Sequence, residues 1–407
     1  MNSRFKFLIV TGSSALLILM LLGSIIGSSS AAEDAYRHFA VYSEVLSKIK
    51  SDYVEEPDIK NVTLGALTGL LESLDPYASY LNADQYKQYL QSKQDRKAGV
   101  GLILSRRMGY VGVVDAVPGS PAAKAGIATG DVLETINRVA TRDMPLAYAE
   151  LLLLGDAGSS LELSVLHVRR GAEAHKITLI RAPLRHPPVT SRIERPEIGY
   201  LQVQSLEAGK VKDVASQAAD LQRQGAKKLV LDLRDNAGGS PEDGIALANL
   251  FVEKGLISYL EGQKVTRQNF EAVPDKATVK LPLVVITNRG TAGGAEIAAA
   301  ALLDNKRAEV VGERTYGDAA MRKALGLDDG GAVILSIAKY YSPSGKAIQD
   351  VGVTPSVLQA EPEPPSDLED EDAPARPAVP SAKPEEDALL KKAIEVLIEG
   401  PPKVAGR

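Results

Sequence analysis

Thr287-Asn288-Arg289-Gly290-Thr291-Ala292-Gly293-Gly294-Ala295-Glu296-Ile297 is the stretch that decides the fold. The apolar run Leu281 to Ile286 before it reads as a buried strand, and the Ala-rich run Ala295 to Leu303 after it reads as a helix. A strand that passes through a tight turn into a helix is the corner at which α/β enzymes mount a nucleophile. Here the turn carries Gly293 and Gly294 and no Ser, Cys or Lys.

The alternation extends outward. Ile198 to Ser205 reads as a strand, and Val211, Val214, Ala215, Ala218 and Leu221 form a helical face closed by Gly225. Lys228 to Leu233 is a continuous apolar strand, followed by the Gly238-Gly239 turn. Pro241 to Val252 reads as the next helix, with Ser240 as N-cap and Pro241 in the first helical position. Strands alternating with helices predict a largely parallel sheet with right-handed crossovers.

Residues 98–183 read as a short-strand β module with two helices. Gly99-Val100-Gly101-Leu102 fits a carboxylate-binding loop, in which glycines let the backbone approach a ligand closely. Gly119-Ser120-Pro121-Ala122-Ala123-Lys124-Ala125-Gly126-Ile127 and Gly130-Asp131-Val132-Leu133 follow. This run resembles the circularly permuted PDZ domains of bacterial proteases. That chemistry is β-augmentation: a peptide adds as a strand and its C-terminal carboxylate is caught by backbone N–H groups. Leu152 and Leu153, on a helix beside the groove, are candidate peptide contacts, although four consecutive leucines cannot all face one side.

Over nearly the whole chain the motifs resemble those of the carboxyl-terminal processing peptidases, or tail-specific proteases. Leu74-Asp75-Pro76-Tyr77-Ala78-Ser79-Tyr80-Leu81, Leu231-Asp232-Leu233-Arg234-Asp235-Asn236-Ala237-Gly238-Gly239 and Tyr340-Tyr341-Ser342-Pro343-Ser344-Gly345 carry the likeness, together with the corner. The resemblance implies a serine-type peptidase with a crotonase-like or Clp-protease-like α/β core, an inserted PDZ domain and an N-terminal helical subdomain. It places the family's Ser at Gly293, its Lys at Asp318 and its Gln at Arg322, so all three positions are substituted. Gly238, Gly239 and the amide of Gly294 are the candidate oxyanion donors.

The 407 residues then divide into a targeting segment 1–32, an N-terminal helical region 33–97, the PDZ domain 98–183 and the α/β core 184–358. An acidic Pro-rich linker, 359–387, and a terminal amphipathic helix, 388–400, complete the chain. In the N-terminal region Phe39, Tyr42, Val45, Leu46 and Ile49 recur at helical spacing and predict a small packed subdomain. Arg4 and Lys6 precede an almost charge-free run, Phe7 to Ile26, about long enough to span a bilayer. Ser30-Ala31-Ala32 offers a cleavage site, so signal peptide and signal anchor both stay open. Either way the body is exported to a periplasmic or other extracytoplasmic space.

There is no Cys, so thiol chemistry and disulfides are excluded, and His38, His167, His175 and His186 match no metal spacing. A net charge of -5 without a basic stripe argues against nucleic acid. No cofactor is expected. The expected partners are protein C-termini, an active paralogue, further copies in a homo- or hetero-oligomer, and the membrane through residues 7–26. Thr291, Ser240, Lys323 and, as a carboxylate that could orient a water, Asp318 are the groups a rearranged site could use. The sequence therefore predicts a pseudoprotease that binds or presents peptides, with an active serine-type endopeptidase of altered site as the alternative.

Overall fold

The computed structural model describes residues 37–94, 98–107, 109–142, 144–167, 173–207, 209–361 and 387–400. The apolar run 7–26 and residues 362–386 of the expected linker lie outside them. Two contact units divide the chain, Met1–Ala66 and Leu67–Arg407.

In the first unit, helix α1 spans 37–52 and α2 begins at Ile59 to run through Glu72. Asp58 starts α2 by accepting the Lys60 and Asn61 N–H groups at 3.0 and 3.2 Å. The helical spacing of α1 is met, but Phe39, Tyr42 and Val45 are exposed rather than packed. Periodicity shapes an apolar stripe; burying it needs a second surface.

The second unit opens with an Asx turn, in which Asp75 accepts from the N–H groups of Tyr77 and Ala78, both at 2.8 Å. Strand β1 (Ser79–Leu81) and helix α3 (Ala83–Gln94) follow. The PDZ-like module contains β2 (Leu102–Arg107), β3 (Tyr110–Ala116), α4 (Pro121–Lys124), β4 (Val132–Ile136), β5 (Val139–Ala140), α5 (Leu146–Leu153), β6 (Ser160–Leu166) and β7 (Ala174–Ile180). Its sheet runs β2-β3-β4-β6-β7 and is antiparallel, with β5 beside β4. Strand β2 is therefore an edge.

The core begins with β8 (Thr190–Arg195), β9 (Ile198–Gln202), α6 (Lys210–Arg223), β10 (Lys228–Asp232) and α7 (Pro241–Asn249). Next come β11 (Leu256–Gly262), β12 (Val265–Glu271), β13 (Leu283–Thr287), α8 (Gly294–Asp304), β14 (Ala308–Gly312), β15 (Ala320–Gly326), β16 (Ala332–Tyr341), β17 (Val357–Leu358) and α9 (Ala388–Glu399). The main sheet has the order β17-β14-β13-β10-β9-β8, parallel except for β8. Its strands are apolar throughout because both faces are covered. Leu229 and Leu231 pack toward α6, α7 and α8, while Val230 packs toward Leu389, Ala393 and Ile394 of α9. Each fully buried leucine there contributes about 1.5–3 kcal/mol.

A second, antiparallel sheet, β1-β16-β11-β12 with β15 on β16, was not legible from the parallel-sheet pattern. Its outer strands β12 and β15 are mixed in polarity and half-exposed, so neither period stands out.

Candidate active site

Strand β13 delivers the corner and α8 carries the chain away. Gly293 is the N-cap residue of α8, at φ 63 and ψ -125. That backbone region suits glycine and strains any other residue. A Cβ built on Gly293 would find its nearest neighbour, the Asp318 carbonyl oxygen, at 3.8 Å. The position has room for a side chain and carries none. Gly294 is the first helical residue and is buried. A Cβ there would lie 2.5 Å from the Ser240 carbonyl, and one on Gly244 of α7 would lie 2.0 Å from the Gly294 carbonyl. The two helix starts are thus pressed together at glycines.

The turn after β10 is tied to the corner by several bonds. Ala292 N–H donates to the Asn236 carbonyl at 2.9 Å, and the Thr291 hydroxyl donates to the Leu233 carbonyl at 2.8 Å. Asn288 donates to the Asp235 carboxylate at 2.8 Å and accepts the Asp235 N–H at 3.1 Å. Gly238 accepts from Leu206 N–H at 3.0 Å, and Gly239 sits at φ 114. The structure therefore brings Ser240, at the end of this turn, against Gly294.

A buried carboxylate joins the third loop. Glu296, fully buried on α8, accepts Gly293 N–H at 3.0 Å, Gly317 N–H at 2.7 Å, Asp318 N–H at 2.8 Å and the Thr315 hydroxyl. One side chain thus fixes the corner and the loop with the expected base position. Burial pushes this carboxyl up to about 7, against the Thr315, Asp318 and Gly317 donors that favour its ionised form. Glu296 went unassigned in the sequence reading. Its signal was a lone carboxylate three residues after the N-cap, in an otherwise apolar run.

Asp318 is ion-paired with Arg322, while Arg314 is exposed. The Arg322 guanidinium lies over the Tyr77 ring, and the Tyr77 hydroxyl is buried with no hydrogen-bond partner. Burial, with Asp318 adding to it, drives that hydroxyl far above the ordinary tyrosine range. The other candidate groups are committed elsewhere. Thr291 is bonded within the turn, Ser240 forms a reciprocal capping box with Asp243, and Lys323 is exposed. The hydroxyls near the corner are held by carboxylates of the scaffold, Thr315 by Glu296 and Ser240 by Asp243, and position 293 itself carries none.

The peptide-contact residues fall into two groups. Gly99 exchanges both backbone bonds with Ala182, at 3.1 and 2.9 Å, so its amide does not face a ligand. Val100 and Leu153 are buried in the module's own core. The Gly99 amide and the Leu153 side chain are thus committed to the module itself, and the Val100 side chain packs in its core. Gly101 at φ 81 folds tightly over Ser120, while Leu102 and Leu152 are half-buried where β2 and α5 lie side by side.

Comparison with known proteins agrees with this architecture. Residues 197–358 match Peptidase family S41, and residues 112–166 match the PDZ domain family. The carboxy-terminal processing protease CtpA of Bacillus subtilis is 31% identical over 357 residues, covering 87% of this chain and 76% of that protein. The chain belongs to the carboxyl-terminal processing proteases. Carboxyl-terminal-processing peptidase 2 of Arabidopsis thaliana is 33% identical over 317 residues, 74% of this chain and 61% of that protein. Among solved structures, the photosystem II D1 C-terminal processing protease superposes with a TM-score of 0.65 at 27% identity, over 77% of this chain and 85% of that one. The S41 region and the PDZ domain are thus both present on a scaffold similar to that of a processing protease.

Proposed function

We propose that this chain is an exported processing-protease homologue without peptidase activity, which binds protein C-termini as a peptide-binding or regulatory scaffold. The observation that carries the reading is Gly293: the corner has room for a nucleophile and supplies none, while Asp318 at the base position is occupied with Arg322. Loss of nucleophile and base lowers turnover by about a million-fold, roughly 8 kcal/mol of transition-state stabilisation. Backbone donors at Gly238, Gly239 and Gly294 survive such a loss because they need no side chain. The order of the parallel strands supports the crotonase-like or Clp-protease-like description of the core. The edge strand β2 supports peptide capture by β-augmentation. Among the described residues no helix is long and apolar enough to cross a membrane, so anchoring rests on the 7–26 sequence alone.

Two assays test the proposal. Purified protein incubated with an unfolded substrate should give no cleavage above a heat-killed control, and cleavage would establish the active, rearranged alternative. Peptides ending in a free carboxylate should bind more tightly than their C-terminal amides, and equal binding would remove the carboxylate-capture reading.

A further inference from the structure

Helix α1 carries an apolar stripe that stays open to solvent. At 3.6 residues per turn, Phe39, Tyr42, Val45, Leu46 and Ile49 fall within one arc of about 120°, with His38 the one polar residue among them. Phe39 is 69% exposed, Val45 51% and Tyr42 43%, while Leu46 and Ile49 are half-buried. Lys50 borders the arc beside Phe39 and is exposed. Asp52 borders the other side and pairs with Lys48 at 3.5 Å. The opposite face presents Ser43, Glu44, Ser47 and Ser51, all exposed.

The position of α1 in the chain points to what covers that stripe. Ten residues, 27–36, separate it from the almost charge-free run Phe7 to Ile26. Fully extended they reach at most about 40 Å, so a membrane that holds the run also holds α1 near its surface. The chemistry of the helix suits that surface. Aromatic and aliphatic side chains on one face, with hydroxyls on the other, make a helix that lies in the interface plane. The Lys50 stem can follow the acyl chains while its ammonium reaches water. Arg37, Lys48 and Lys50 outnumber Glu44 and Asp52, so anionic headgroups do not repel the helix.

We propose that α1 lies along the membrane surface, with Phe39, Tyr42 and Val45 seated between lipid headgroups and acyl chains. This seating rests on the reading of 7–26 as a membrane segment and adds to it. An anchor alone lets the chain swivel, whereas a helix held in the interface fixes the direction in which the chain leaves the surface.

The chain contains no Trp, so a single introduced Trp reports on its own position alone. Full-length Tyr42→Trp, Phe39→Trp and Ser47→Trp are reconstituted into vesicles of phosphatidylcholine and phosphatidylglycerol, with plain or brominated acyl chains. Tyr42→Trp and Phe39→Trp should lose about half of their emission or more on brominated lipid, because an interfacial helix buries its apolar face about 5–10 Å into the headgroup and acyl boundary. Ser47→Trp, about 140° round the helix from Tyr42, should lose little. Flotation checks the 7–26 reading separately. Protein that floats with neither stripe position quenched would overturn the seating of α1 and leave the anchor standing, and protein that does not float would overturn both. Equal quenching at all three positions would overturn it too, by placing α1 through the bilayer rather than along it. Blue-shifted but unquenched emission from Tyr42→Trp would do the same, by placing a second copy or another protein surface on the stripe.

Discussion

The guanidinium carbon of Arg322 lies 3.5 Å from the centroid of the Tyr77 ring, and the same guanidinium is ion-paired with Asp318. Tyr77 also belongs to the apolar cluster of the PDZ domain. Two positions where the family resemblance places catalytic side chains are therefore used here for packing between modules.

That arrangement predicts opposite outcomes at its two ends. Arg322→Gln loses the stack and the ion pair, and should destabilise the protein by about 1–3 kcal/mol. Tyr77→Phe keeps the ring and deletes a buried hydroxyl without a partner, so it should be neutral or stabilising by up to about 1 kcal/mol. Urea unfolding measures both. A Tyr77→Phe loss as large as that of Arg322→Gln would mean that the hydroxyl has a partner after all.

Gly293→Ser should fold, because the nearest atom to the new Cβ is 3.8 Å away. It should nevertheless lose about 1–3 kcal/mol, because φ 63 with ψ -125 strains a side-chain-bearing residue. Thermal unfolding checks the loss. No loss would show that the corner relaxes to an unstrained turn.

Glu296 gives a pH dependence whose sign follows from its burial. Its folded carboxyl titrates at about 7, whereas an unfolded glutamate titrates near about 4.3. Between those values the unfolded chain has released the proton and the folded chain keeps it. Stability therefore falls as pH rises through that window and levels off above it, by roughly 4 kcal/mol at most. Glu296→Gln should flatten that part of the stability curve. It should also cost about 1–3 kcal/mol, because its NH₂ group opposes backbone donors. Chemical unfolding across the window reads both effects.

The alternating strands and helices of the core were legible because each strand is apolar on both faces and each helix carries one stripe. Ser240 and Pro241 announced α7, and the apolar stripe within Ala388 to Glu399 announced α9, because caps and stripes are local signals. The β15 and β16 pair gave no such signal, since half-exposed strands such as Ala320–Gly326 follow neither period. At the site, Gly293, Asp318 and Arg322 were found by resemblance. Glu296 and Tyr77 were not, because their roles arise from partners 19 and 245 positions away. A buried carboxylate is visible in sequence only as an oddity within an apolar run; its meaning lies in which distant donors reach it.

Glycines at the helix seam supply a further contrast. Gly244→Ala places a methyl 2.0 Å from the Gly294 carbonyl oxygen and should cost about 3 kcal/mol or more. Gly65→Ala in α2 meets nothing within 4 Å and should stabilise by about 0.5–1 kcal/mol through helix propensity. Paired urea titrations compare them, and similar losses in both would mean that the seam yields.

Arg234 has a topological consequence. Its guanidinium binds Asp387, the N-cap of α9, at 2.7 Å and approaches Glu361 at 3.8 Å, while Lys228 holds the Leu397 carbonyl at 3.1 Å. Glu361 and Asp387, the described residues on either side of 362–386, are thereby fastened at one cation, so α9 is joined to the sheet by that cation as well as through the chain. Lengthening segment 362–386 changes closure entropy only logarithmically, about 0.6 kcal/mol per doubling. Cutting it is different in kind: α9 would change from a tethered partner at millimolar effective concentration to a diffusing peptide. The sheet face formed by Tyr200, Val230 and Ile286 would then open by dilution alone, without any change in the contacts that cover it.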